Sequence, residues 1–273
     1  MHARRTVRTA RQMVVNHGWA TAVRTARDHL KKRLRRTPQL TDDTTTWLPT
    51  AEHEFDRQYG VDTSGLVWSV DLKTGSRSDA WNTAYYGIGP SVFHHVMAQV
   101  PGPLLRGATF IDLGCGKGRA VLLASEYPFA QAIGVEIAPQ LHRIAVENIG
   151  RYNAARHVKE RTLEGRSDLA PMSVLLQDAA EYRFPAGPLV VYLYHPFCRP
   201  VLDQVVRNLG RSLTESPRNA AVVYINHELR DVLDRAPYLQ QTWSATVQMD
   251  ANDRLADRIG SSAEDCAIYL THS

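Results

Sequence analysis

The sequence predicts an α/β chain built on a doubly wound, mostly parallel sheet of seven strands, with an N-terminal helical extension. Three observations predict it. From residue 108 onward, short β-branched and apolar runs alternate with stretches of helical period, the pattern of parallel strands joined by crossover helices. Residues 188–194, Pro-Leu-Val-Val-Tyr-Leu-Tyr, are almost continuously apolar, as suits a strand covered on both faces. The chain then ends on two strand-like runs, Leu239–Met249 and Cys266–Thr271, with no evident helix between them, which predicts a closing antiparallel hairpin.

The elements follow in order. Residues 1–40 show helical spacing twice, at Val7, Ala10 and Val14 and at Val23, Ala26, Leu30 and Leu34, with Asn16-His17-Gly18 as the break. Residues 41–78 read as a linker and a short helical or loop segment, and 37–50 are polar, rich in Thr and Asp, with two prolines. The main domain is expected over 79–273. Ser91–Val100 reads as a helix leading to the sheet. Ala108–Leu113 is a strand ending in glycines, and Gly118–Ser125 is helix-like. A strand at Gln131–Ile137 precedes a helix from Pro139 to Ile149, proline being well suited to a first turn. Strands at Ser173–Gln177, Pro188–Tyr194 and Ala220–Asn226 follow, with helical period over Val201–Leu213. The last two strands flank a polar loop at Asp250–Glu264.

Composition narrows the class. In 273 residues, 44% are hydrophobic and 22% charged, which fits a globular chain and excludes collagen-like and coiled-coil architectures. No apolar run is long enough to span a bilayer, and the charged N-terminus lacks a secretory signal. Three widely spaced cysteines, Cys115, Cys198 and Cys266, fit a reducing cytoplasm and not a structural zinc site. The net charge of +4 is uneven. Residues 1–40 hold eleven Lys or Arg and one acid, Asp28, a net +10, while the remainder holds 21 bases and 27 acids, a net −6. A basic arm of this kind suits an acidic protein partner, a nucleic acid or a membrane surface; equally, it suits a solvated helix pair.

In doubly wound sheets, ligands bind outside the carboxyl ends of the strands. The strongest signal lies there: Thr109-Phe110-Ile111-Asp112-Leu113-Gly114-Cys115-Gly116-Lys117-Gly118-Arg119. Glycines permit a tight turn and close approach of a ligand to the backbone. The spacing is not that of a dinucleotide fingerprint, since Arg119 stands where the third glycine belongs. Asp112 would repel a pyrophosphate and suits an amine-bearing, cationic ligand. Glu136 closes the next strand, placed to accept hydrogen bonds from two ribose hydroxyls. Asp178, in Gln177-Asp178-Ala179-Ala180, is placed to accept from an adenine amino group. Any one of these acids alone reads equally as a helix cap or a surface charge.

On the DLGCGKG loop, the GVE strand end and the QDA segment, the chain resembles class I (seven-strand, Rossmann-like) S-adenosylmethionine-dependent methyltransferases over roughly residues 80–273. The resemblance implies a sheet order of 3-2-1-4-5-7-6 and S-adenosyl-L-methionine as cofactor. It implies that Asp112, Gly114 and Gly116 contact the methionine and ribose side, that Glu136 binds the ribose and that Asp178 lies near the adenine. The segments Glu54–Thr63 and Asn82–Phe93 are similar to an uncharacterised bacterial branch of these enzymes. The Tyr-Gly segment also resembles the cofactor-covering loop of non-SET histone-lysine methyltransferases, implying that Tyr86 and Ser91 close over the methionine end. The residue-level alternative is a core tyrosine pair at a turn.

The acceptor side is expected at Tyr194-His195-Pro196-Phe197. This is similar to the Asn/Asp-Pro-Pro-aromatic strand end of amino-directed methyltransferases, but His195 replaces the Asn or Asp and one proline is missing. His195 and Tyr194 are the candidate catalytic residues, and Pro196 and Phe197 the candidate substrate contacts. An imidazole can act as a base near neutral pH; its alternatives are hydrogen bonding or space filling. His227 and Glu228, at the next strand end, either line the site or start a helix. The expected function is methyl transfer to an acceptor of unknown class, an amino group of a protein or small molecule being favoured. The rivals are an aminopropyltransferase on the same fold and a noncatalytic cofactor- or nucleic-acid-binding module.

Overall fold

In a computed structural model, the protein is described over residues 52–67, 72, 74, 78, 83–160, 169–256 and 262–272. The chain divides into units 1–49 and 50–273, and the described residues belong to the second. The expected basic helices of 1–40 and the polar stretch 37–50 lie outside them. Residues 52–67, within the stretch expected to be a linker and a short helical or loop segment, include helix α1 (Glu54–Tyr59), which buries Phe55 and Tyr59 in the core of the second unit.

The main sheet has seven strands: β3 (Thr109–Leu113), β4 (Gln131–Glu136), β5 (Met172–Leu176), β6 (Leu189–Tyr194), β7 (Ala220–Ile225), β8 (Leu239–Gln248) and β9 (Ala263–Thr271). Their spatial order is β5-β4-β3-β6-β7-β9-β8. Numbered within this sheet, that is the order 3-2-1-4-5-7-6. The pairs from β5 through β7 are parallel, whereas β9 runs antiparallel between β7 and β8. A separate two-stranded ribbon joins β1 (Leu66–Val67) to β2 (Tyr85–Tyr86).

Strand alternation builds a core on each face of the sheet. Phe110, Val190, Tyr192, Val223 and Ile268 share one cluster; Ile111, Leu113, Val191, Leu193 and Tyr224 share the other. This double covering explains the unbroken apolar character of β6. Helix α2 (Pro90–Met97) seals the first face with Val92, Phe93, Val96 and Met97. The short helices α3 (Gly102–Leu105) and α4 (Arg119–Ala124) and the long α5 (Pro139–Glu160) come next in the chain. Helix α6 (Arg199–Glu215) buries Val201, Leu202, Val205, Leu209 and Leu213, an apolar stripe of helical period, against the second face. Helix α7 (Arg230–Asp234) packs on that face too.

Two expectations change. Helix α5 continues eleven residues past Ile149. Gly150 looks like a stop signal, but it faces open space, and the next turn is held by packing. Tyr152 is fully buried, its ring 4.6 Å from that of Tyr59, and its hydroxyl donates to Glu126 at 2.6 Å. The polar loop before β9 contains helix α8 (Ala251–Ala256), begun where Asp250 accepts from the Asp253 backbone N–H at 2.8 Å. Among the described residues, no helix is long and apolar enough to cross a membrane.

Candidate functional site

A cleft of roughly 850 Å³, solvent at its mouth included, opens at the carboxyl ends of β3, β4 and β6. Register explains what reaches it. Asp112 pairs with Gly134 on one side and Tyr192 on the other, so all three point to one face. Glu136 and Tyr194, each two residues further on, share that face. Ile225 pairs with both Tyr194 and Cys266, and Glu264 precedes Cys266 by two residues. The carboxyl edge of this face thus carries Glu136, Asp112, Tyr192, Tyr194 and Glu264 above an otherwise apolar layer.

The loop after β3 shapes the cleft floor. Gly114 and Gly116 have φ of +81° and +56°, which favour glycine. A Cβ on Gly114 would overlap Pro196, and one on Gly116 would overlap the Tyr85 ring. The sequence reading opens this backbone to a ligand; the structure seats protein side chains against these two positions. Cys115, between them, turns its thiol toward Gly134, and burial beside Asp112 and Glu136 pushes that thiol's pKa up.

Glu136 is buried, and its two oxygens accept from the backbone N–H groups of Gly116 and Ala138, each at 2.8 Å. Burial raises its pKa, and the backbone donors partly offset this. Each oxygen keeps a lone pair for a ligand hydroxyl. Asp112 is 4% exposed, and among the described residues no hydrogen bond reaches its carboxylate. Burial, followed by the charge of Glu136, drives its pKa well up. The cleft therefore holds two carboxyl groups that resist ionising in the absence of a nearby cation.

Asp178 lines the cleft at the start of a 3₁₀ turn, Ala179–Glu181. It caps that turn by accepting from the Ala180 N–H at 2.9 Å, and it accepts from the Ser78 hydroxyl at 2.5 Å. Its cap role and its place in the cleft coexist. Tyr86, half-buried in the small ribbon, lines the cleft as well. Its neighbour Tyr85, part of the Asn82–Phe93 segment but given no role there, covers Gly116 and donates its hydroxyl to the Thr63 carbonyl at 2.7 Å. Ser91 lies elsewhere than expected: outside the cleft lining, its hydroxyl and backbone N–H reach the buried Asp253 carboxylate. Asp253 also meets His53 Nε2 at 2.9 Å, while His53 Nδ1 accepts from the Phe55 N–H. Those two bonds fix the His53 tautomer and tie α1 to α8.

Arg119 belongs to the same N-terminal clasp. Its guanidinium donates to Thr63 Oγ1 at 2.6 Å, Ser64 Oγ at 3.0 Å and the Ile88 carbonyl at 3.1 Å. The GVDTSG stretch, with Asp56 accepting from the Thr63 and Ser64 N–H groups, thereby packs against the start of α4.

At the end of β6, Tyr194 lines the cleft and donates to Glu264 Oε1 at 2.7 Å. Burial and the charge of Glu264 push its pKa well up. Pro196 and Phe197 line the cleft. His195 does not: its ring lies toward Glu228, with Nε2 3.7 Å from Oε2. Its backbone has φ of +38°, and its carbonyl accepts from Thr83 Oγ1 at 2.7 Å. Such a φ is strained for a non-glycine residue, and here it turns the chain so that Pro196 and Phe197 face the cleft. Tyr192 and Glu264 carried no motif. Their signal was alternation: a phenol and a carboxylate standing on the apolar face of their strands.

No protein-family model and no curated protein matches the chain. Solved structures do. Magnesium protoporphyrin IX methyltransferase from Synechocystis PCC 6803, with bound SAM, is 13% identical across 67% of this chain and 77% of its own, at a TM-score of 0.39. A TehB-like SAM-dependent methyltransferase from Corynebacterium glutamicum is 14% identical across 68% and 90%, at 0.40. A SAM-dependent methyltransferase from Aquifex aeolicus is 12% identical across 66% and 89%, at 0.44. At these scores none of them decides what this chain does. The strand order and the antiparallel β9 decide the fold: it is the seven-strand, Rossmann-like arrangement that the sequence resemblance implies for class I methyltransferases.

Proposed function

We propose that the protein is an S-adenosylmethionine-dependent methyltransferase and that the cleft beside Asp112 and Glu136 holds the cofactor. One observation carries the reading: a buried carboxylate, Asp112, stands in an open cleft, and among the described residues no hydrogen bond reaches it. A cation carrying N–H donors, such as the ammonium of S-adenosylmethionine, satisfies it and restores the ionised form. A pyrophosphate would not, because it brings no cation to offset the burial of these two acids, and its own charge opposes their ionisation. Arg119, the basic residue among the described lining, spends its donors on Thr63, Ser64 and the Ile88 carbonyl.

The remaining roles follow from position. Glu136, held rigid by two backbone N–H groups, accepts from the ribose hydroxyls, and Asp178 receives the adenine edge. Gly114 and Gly116 hold the loop close, with Tyr85 and Pro196 packed against it. Tyr86 covers the cleft. When bound, the cofactor supplies a methyl group activated by its sulfonium. The protein's part is to align an acceptor and exclude water, which the aromatic walls Tyr86, Tyr194 and Phe197 favour. His195, expected as a base, is instead assigned the turn that places Pro196 and Phe197. A cytoplasmic setting, three buried thiols and an acidic partner for the basic residues of 1–40 complete the reading.

Isothermal titration with S-adenosylhomocysteine and S-adenosylmethionine tests it. One equivalent of each binds the wild-type protein, and Glu136→Ala weakens both at least tenfold. Absence of binding to the wild-type protein refutes the proposal.

A further inference from the structure

The acceptor half of the cleft has its own polar groups. Tyr192 is 1% exposed and lines the cleft, yet its hydroxyl has no hydrogen-bond partner among the described residues. Buried hydroxyls are rarely left so, and on a residue that lines a cleft such a group marks where a ligand atom belongs. Its surroundings state what kind of atom. Asp112 pairs with Tyr192 in register, and the charges of Asp112 and Glu264 both act on its phenol. Tyr194, two residues along the same face, points its hydroxyl at the buried Glu264. Among the described lining residues the basic one is Arg119, whose donors are committed.

We propose that Tyr192, Tyr194 and Glu264 form the acceptor subsite and that it takes a protonated amine. This rests on the methyltransferase reading, and it supplies the substrate class that reading leaves open. Asp112 is taken by the cofactor's ammonium, so a second cation needs a second anion. Glu264 is that anion, acting through Tyr194, which makes it a positioning residue. The Tyr192 oxygen accepts one N–H of the ammonium and orients the nitrogen; before transfer one proton leaves to solvent through the open mouth of the cleft, freeing the lone pair that takes the methyl group as the methyl's bond to the cofactor sulfur breaks. A carboxylate, phosphate or phenolate acceptor would meet acids on both sides. A wholly apolar acceptor would leave the Tyr192 hydroxyl without a partner.

The test uses the full chain saturated with S-adenosylhomocysteine at pH 7, so that binding is read without turnover. Ligand-observed NMR titrations compare n-butylammonium with two isosteric probes, n-butanol and butyrate. The expected result is n-butylammonium binding at least tenfold tighter than either. Glu264→Gln and Tyr192→Phe each reduce the ammonium-to-butanol ratio at least threefold. The ratio is internal to each variant and insensitive to the fraction folded. Equal or tighter binding of butanol or butyrate overturns the proposal, as does an unchanged ratio in either variant. If S-adenosylhomocysteine binds and the amine preference is absent, this proposal alone falls. If S-adenosylhomocysteine does not bind, the parent reading falls and takes this one with it.

Discussion

Replacing Asp112 with Asn separates the structural cost of this residue from its use. The carboxyl group is 4% exposed, no hydrogen bond among the described residues reaches it, and the charge of Glu136 acts on it. Removing its charge relieves desolvation and repulsion in the ligand-free protein. A gain of ~1 kcal/mol would raise the melting temperature by roughly 2–4 °C in a chain of this size. Cofactor binding moves the other way. Losing one member of a buried, hydrogen-bonded charge pair costs about 2–5 kcal/mol, which is roughly 30- to 4,000-fold in Kd. Differential scanning calorimetry of the ligand-free variant and titration with S-adenosylhomocysteine read the two effects. Higher stability with much weaker binding is the expected pair. An affinity within threefold of wild type, or a clear loss of stability, would refute the reasoning.

Three further outcomes are expected. Gly116→Ala puts a Cβ into the Tyr85 ring at a positive φ, so it should cost about 1–3 kcal/mol in urea unfolding and weaken S-adenosylhomocysteine; adding Tyr85→Ala should recover part of the stability, and a strictly additive pair would contradict the contact. The pKa values of Asp112 and Glu136 are raised above their ordinary values of 3.8 and 4.5, so the folded ligand-free protein holds protons that the unfolded chain releases. Their effect on stability is therefore least adverse below about pH 4 and worsens as pH climbs through the raised values, whereas affinity for the cationic cofactor rises over the same window. Titration in two buffers of different ionisation enthalpy should show proton release on binding, and proton uptake would reverse the sign argued here. His53→Ala removes both the α1 cap and a partner of buried Asp253, and should cost roughly 1–3 kcal/mol by urea unfolding; an unaltered midpoint would contradict the clasp.

Much of the fold was legible because its signals are local. The β3 strand, its glycine turn and the acid closing β4 follow one another within thirty residues, and alternation with helices predicts parallel pairing. The insertion of β9 between β7 and β8 came through the resemblance, since no local pattern tells a terminal hairpin which of its strands meets the sheet. Helix α5 outran its apparent stop because Tyr152 finds Phe55 and Tyr59, rings far away in sequence. Helix α8 was hidden in a polar stretch because its anchor is a buried Asp253, held by His53 and Ser91 from distant segments.

The candidate site divides in the same way. Asp112, Gly114, Gly116, Glu136 and Asp178 sit at strand ends and were readable from position, and all five line one cleft. Tyr85, Tyr192 and Glu264 were not. Each acquires meaning from register or from a contact across the fold: Tyr85 over Gly116, Tyr192 beside Asp112, Glu264 under Tyr194. His195 drew attention by residue type, yet its ring lies toward Glu228, and the backbone turn at that position is what shapes the cleft.

The central claim is that the acid-lined crevice beside the DLGCGKG turn is built for an S-adenosyl nucleoside. A crystal structure of the full chain grown with S-adenosylhomocysteine tests it most directly. The account predicts ribose hydroxyls on the Glu136 carboxylate, the amino group against Asp112 and the base beside Asp178. Ligand density elsewhere, with that crevice closed or occupied by protein, would contradict it.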